Sequence, residues 1–149
     1  MYSVSVAQGG SDRLRPYLRA CLKKASREGV IDAALCTGQQ ADLLIVPPDA
    51  PVSAGSGGML LAVGGSPRGG ENCVSCGLGY GDALTLSSIG RDSAMLALQE
   101  DIPTLKGGTL EPQEIPISLE APAEPEAVLA AAGAMLLLGA DTSEGIKLP

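Results

Sequence analysis

NCVSCGLGYGDALTLSSIGRDSAMLALQEDIPTLKGGTLEPQEIPISL, from Asn72 to Leu119, is the stretch whose punctuation decides the fold. Its apolar runs have strand length and are separated by Gly, Asp and Pro, the pattern of a β-meander rather than of a helix. Short strands are expected around Cys73 to Cys76, Ala83 to Ile89, Ala94 to Leu98 and Glu114 to Leu119. A parallel crossover of a dozen residues does not fit between the second and third, so these pair antiparallel.

Upstream the rhythm is different. Tyr2 to Ala7 alternates polar and apolar residues, and Ala41 to Val46 (ADLLIV) and Met59 to Val63 (MLLAV) are continuous apolar runs of buried-strand type. Val30 to Cys36 (VIDAALC) is a further candidate strand. PPDAPVSAGSGG, from Pro47 to Gly58, is rich in Pro, Gly and Ser and reads as a loop. Buried strands separated by loops or helices predict a parallel sheet with helices on its faces. The chain is therefore expected to be one α/β domain over residues 1–149. Residues 1–70 form a Rossmann-like parallel half, and residues 71–149 add an antiparallel meander and a C-terminal apolar helix to make a mixed sheet.

Two helices follow from spacing. Leu14, Leu18, Cys21, Leu22 and Ala25 share one face at helical period, Ser11 or Asp12 can cap the start, and Gly29 is a stop. Pro16 belongs in the first turn, where its missing N–H costs little. The second helix starts at Pro125 and continues AVLAAAGAMLLLGAD, apolar nearly all round, so it must be covered on most sides. Gly139 closes it. Gly133, mid-helix, predicts close approach of a strand or of a neighbouring subunit, which leaves a homo-oligomer open.

The composition bounds the core and the partners. Of the 149 residues 45% are apolar but only 2% aromatic, with no Phe and no Trp, so the core is built from Leu, Ile, Val, Ala and Met. The net charge is −7, yet residues 1–29 carry six basic side chains (Arg13, Arg15, Arg19, Lys23, Lys24, Arg27) against Asp12 and Glu28, a local balance of +4 that leaves −11 elsewhere. Phosphate neutralisation needs a broad basic surface, so nucleic acid is not the expected main partner. One basic helix fits either a solvated face or a docking site for an anionic ligand or an acidic partner protein. No secretory pattern opens the chain, and the apolar run Ala127 to Leu138 is shorter than the roughly 20 residues a membrane span needs, so a cytoplasmic protein without membrane insertion is expected.

Several chemistries lack their parts. There is no His, hence no imidazole base and no Ser–His–Asp triad for Ser87 or Ser88. Cys73 and Cys76 have the spacing of a redox or zinc pair, but on a strand residues three apart point to opposite faces, and only the isolated Cys21 and Cys36 remain as further thiol ligands. Glu100, Asp101, Glu111 and Glu114 read as solvated carboxylates rather than an acid–base pair. Neither metal nor cofactor is expected, nor any catalytic residue. The best ligand site by physics is Gly9, Gly10, Ser11, Asp12, Arg13 and Arg15. A glycine turn between a strand and a helix N-terminus exposes backbone N–H groups and the positive end of the helix dipole, and the two arginines add charge-assisted bonds to a phosphate or carboxylate.

Two places carry a resemblance to a known family. GLGYGDALTLSSIG, Gly77 to Gly90, resembles the stretch of Mur ligases, the ATP-dependent peptidoglycan-precursor ligases, in which a Gly-Leu pair leads through an Asp into a strand ending near Asn-Ile or Ser-Ile. AVLAAAGAMLLLGADTSEGI, Ala127 to Ile146, resembles that family's alanine-rich helix, its Leu-Gly-Val-Asp end and a following short helix containing Ile. SAMLALQ and EIPISL stand at the family's intervening strands, and MLLAVGGSP at the strand before its Asn-Asp-Asp-Pro turn, so about residues 59–149 are covered. The resemblance implies a Mur-ligase-like central domain and a bacterial link to cell-envelope precursor metabolism. The departures imply that the chemistry is gone. No Gly-Lys-Thr or Gly-Lys-Ser phosphate loop is present, and the acidic turn reads Gly64-Gly65-Ser66-Pro67. The expectation is a non-catalytic binding or interaction protein, with a small nucleotide- or phosphometabolite-binding protein or enzyme using the Gly9 to Arg15 turn as the alternative.

Overall fold

The computed structural model describes residues 1–7, 14–36, 41–48, 58–64, 73–79 and 81–149. Within them the chain folds as an α/β structure with one large mixed sheet. The strands are β1 (Tyr2–Val6), β2 (Ala33–Leu35), β3 (Leu43–Val46), β4 (Met59–Val63), β5 (Cys73–Cys76), β6 (Leu84–Ile89), β7 (Ser93–Leu98), β8 (Ile102–Pro103), β9 (Thr109–Leu110), β10 (Gln113–Leu119) and β11 (Ile146–Leu148), and the helices are α1 (Leu14–Arg27) and α2 (Pro125–Leu137). Nine strands run in the order β11-β10-β7-β6-β5-β4-β3-β1-β2, while β8 and β9 form a separate two-stranded ribbon.

The pairing follows the change of rhythm in the sequence. β2, β1, β3, β4 and β5 are mutually parallel, and β6 joins β5 through Cys76 and Leu84 in the same sense. The reversal falls between β6 and β7, whose pairing is antiparallel with an irregularity between Leu86 and Ser88, and β7 pairs antiparallel with β10. β3, LLIV, is buried along its whole length because it lies between β1 and β4 and is covered on both faces. β10 shows the other pattern: Ile115, Ile117 and Leu119 are buried, while Glu114, Pro116 and Ser118 alternate to the outside.

Both helices pack into one core cluster. The stripe Leu14, Leu18, Cys21, Leu22 and Ala25 is the buried face of α1. α2 touches β3, β4, β5, β6 and β11 as well as α1, so it crosses the centre of the sheet, over the junction of parallel and antiparallel parts, rather than over the meander alone. Gly133 is what permits this. A Cβ there would lie 3.1 to 3.3 Å from the methyl carbons of Leu61 and Leu84, so strands β4 and β6 are the close neighbours. Both helices end in the same motif: Gly29 and Gly139 adopt φ of 74° and 86°, and the N–H groups of Val30 and Ala140 return to the carbonyls of Ala25 and Met135.

Two elements differ from expectation. The segment at Ile146, expected in a short helix, is strand β11, paired parallel to β10 through Ile117 and Ile146. Burial of Ile146 and Leu148 with Lys147 exposed is a strand alternation, and the edge of β10 offers unpaired backbone groups that a helix would not satisfy. The candidate strand Val30 to Cys36 shortens to β2, three residues at the opposite edge.

Candidate functional site

Of the predicted anion turn, Gly9, Gly10, Ser11, Asp12 and Arg13 lie outside the described residues. Arg15 is described: its guanidinium Nη2 donates to the carbonyl oxygen of Val6 at 3.1 Å, tying the first turn of α1 to the carboxyl end of β1. That end adjoins β3, and β1 is the strand from which the order runs to β2 on one side and to β3 on the other.

A recess lies elsewhere, along the second half of α1. It has a volume of about 1090 Å³ and is lined by Arg19, Lys23, Lys24 and Arg27 of α1 and by Ala33, Ala34 and Leu35 of β2, with the carboxylates of Glu28, Asp32 and Glu120 also in the lining. A four-residue repeat on the helix builds the charged wall. Arg19, Lys23 and Arg27 succeed one another at i, i+4 and i+8, so they stack on one exposed face while Leu18, Leu22 and Ala25 turn into the core.

The ions on this wall are not equivalent. Lys24 Nζ lies 2.8 Å from Glu120 Oε1, and that ammonium holds the Glu120 carboxyl below the usual carboxylate range. Arg19, Lys23 and Arg27 make no ion pair among the described residues. Like charges at i, i+4 cost about 0.2–0.5 kcal/mol per pair, so the stripe is locally unfavourable without an anion. The last turn softens this, since Lys24 and Arg27 sit at the negative end of the helix dipole.

The opposite wall is a sheet edge. Tyr2 N–H donates to Asp32 O at 2.9 Å and Cys36 N–H donates to Val4 O at 2.7 Å, so even-numbered residues of this strand turn their backbone towards β1. The N–H and C=O of Ala33 and Leu35 therefore point away from it. Ser26 Oγ donates to Ala33 O at 2.9 Å, fixing the helix over the strand.

The thiols stand apart from this groove's chemistry. Val74 and Cys76 belong to the main core, while Cys73 is half-buried on the other face of β5, as alternation requires. Burial pushes the Cys76 thiol far up, with Asp82 and Glu126 adding in the same direction. Burial also pushes Cys21 up to about 12, partly opposed by its hydrogen bond with Tyr17 and by Lys24. Both are poor nucleophiles at neutral pH. Among the described residues no group of three or more Cys, Asp or Glu side chains is arranged to hold a metal ion. Asp82 is spent on structure, its Oδ2 accepting from Gly79 N–H at 3.0 Å while Gln99 Nε2 donates to the Asp82 carbonyl at 2.6 Å. Glu100, Asp101, Glu111 and Glu114 are all exposed, and Glu114 accepts from Ser87 Oγ at 3.2 Å.

No protein-family model matches the chain, and no curated protein matches it. Geometry is what remains. The sequence pointed to the basic helix but not to its partner wall, because nothing in VIDAALC marks that strand as a terminal one among the described strands.

Proposed function

We propose that this chain is a non-catalytic binding or interaction protein whose working surface is the groove between α1 and β2, and that its occupant is anionic. The observation that carries the reading is the stripe Arg19, Lys23 and Arg27, three stacked cations without a described counter-ion facing a recess of about 1090 Å³. The resemblance of Gly77 to Gly90 and Ala127 to Ile146 to Mur ligases supports a scaffold of that kind stripped of its phosphate loop, and ties the biology to cell-envelope precursors. Magnesium-dependent phosphate release from ATP should stay at the buffer background. Anion binding should weaken with added salt, since exposed charges are screened over about 10 Å at 0.1 M. The test is differential scanning fluorimetry with ATP, a UDP-sugar and a Glu-rich peptide. A bound anion at 100 times its Kd stabilises by about 2.7 kcal/mol, and that shift should vanish in the Arg19→Glu, Lys23→Glu, Arg27→Glu variant. A shift that survives the triple reversal would place binding elsewhere.

One observation favours a second reading, a nucleotide or phosphometabolite site at the Gly9 to Arg15 turn. Strand order β2-β1-β3 reverses at β1, and in open α/β sheets ligands bind outside the carboxyl ends of the strands at such a point. On this reading ATP or the UDP-sugar gives the thermal shift, Arg15→Ala weakens it, and the triple reversal leaves it intact.

A further inference from the structure

We propose that the occupant of the groove is an extended acidic peptide that adds a strand to the outer edge of β2, which has no partner strand among the described residues, beneath α1. This rests on the reading of the groove as the binding surface and goes beyond it in naming both the ligand class and the mode of capture.

The two walls call for one ligand with two properties. β2 is the terminal strand of the nine-stranded sheet and has β1 as its sole neighbour among the described residues. Its outward groups are the N–H of Ala33 and both the N–H and C=O of Leu35, with the Ala33 carbonyl already accepting from Ser26. Such a row pairs with an extended backbone, and main-chain bonds to an edge strand are a general mode of peptide capture. A rounded metabolite would satisfy the cations but not this row.

The other wall sets the side chains. Residues of an added strand alternate between the α1 side and the opposite side. Those on the α1 side lie below Arg19, Lys23 and Arg27, whose axial spacing of four residues, about 6.0 Å, is close to the roughly 6.6 Å between alternate strand residues. Carboxylates at every second position therefore meet successive cations. Because β2 is three residues long, it supplies few main-chain bonds, and the charges make up the rest.

The same charges argue against a second copy of the chain at this edge. Two β2 strands paired about a two-fold axis would bring two cationic α1 stripes towards each other, and like charges brought together at an interface oppose association.

The test uses the full chain and a fluorescein-labelled peptide of about eight residues alternating Glu and Thr, read by anisotropy. A second peptide carries N-methyl groups on every backbone amide, which keeps every carboxylate but removes the backbone donors whichever way the strand runs. We expect saturable binding of the first peptide, a loss of about tenfold or more for the N-methylated one, and a similar loss for the first peptide with Lys23→Glu or Arg27→Glu. Equal binding of the two peptides, with the charge-reversal losses retained, would overturn strand addition while leaving an anionic groove. Binding untouched by either reversal would overturn the groove as well. Absence of binding to the native chain, with its cooperative thermal unfolding intact, would overturn the acidic-peptide assignment.

Discussion

Gly133 and the two core thiols show how single residues carry this fold. Replacing Gly133 with Ala gains about 1 kcal/mol of helix propensity but places a carbon 3.1 to 3.3 Å from Leu61 and Leu84 side chains that must give way. The two effects nearly cancel, so Gly133→Ala should change stability by no more than about 1 kcal/mol, whereas Gly133→Leu should cost about 1–3 kcal/mol or more through overpacking. Urea denaturation checks both. The Cys21 thiol, neutral and buried with its pKa raised from 9.0 to about 12, contributes stability that is complete below pH 9. As pH rises from about 9 towards 12 the unfolded state loses its proton first, so stability falls. Cys76 acts in the same direction. Both should resist iodoacetamide at pH 8 until the protein unfolds, while half-buried Cys36 reacts sooner. Modification of Cys21 or Cys76 at the rate of Cys36 in the folded protein would contradict the burial of the α1 stripe or of β5.

At the scale of elements, α2 is the piece on which folding depends. Ten of its residues, Val128 to Leu137, are buried, so it has no solvent face except at its start. Leu136→Ala and Leu137→Ala should each cost about 2–5 kcal/mol, against a total of roughly 5–15 kcal/mol for a domain of this kind. A chain ending at Glu124 should lose its cooperative transition; unchanged melting in both point variants would contradict the packing. The ion pair of Lys24 with Glu120 is a minor tie by comparison, because the carboxylate is fully exposed. Its small contribution is present above the ordinary glutamate pKa and fades as pH falls through the lowered one. Both helices were legible in the sequence, α1 from its five-residue apolar stripe and α2 from an unbroken apolar run between Pro125 and Gly139. β11 was not, because three residues, Ile146 to Leu148, hold too few alternations to separate strand from helical turn. What fixed it was the vacant edge of β10, a property of the sheet and not of the segment.

The whole molecule joins an acidic body to one basic helix, and the sheet places that helix beside an edge strand. The mixed sheet was readable from the switch between separated buried runs and a close-spaced meander, and the basic helix from six cations within residues 1–29. The groove was not readable, since it exists only because β2 ends the sheet order and α1 returns over it. The groove is the proposed binding site. An amide ¹H–¹⁵N spectrum of the full chain, titrated with the alternating Glu–Thr peptide, reads occupancy of that groove residue by residue. Perturbations should concentrate at Arg19, Lys23, Ser26, Arg27, Ala33 and Leu35, with the amides of Ala33 and Leu35 shifting as they acquire acceptors. Perturbations confined to Gly9 through Arg15, with Ala33 and Leu35 unmoved at saturation, would contradict that assignment.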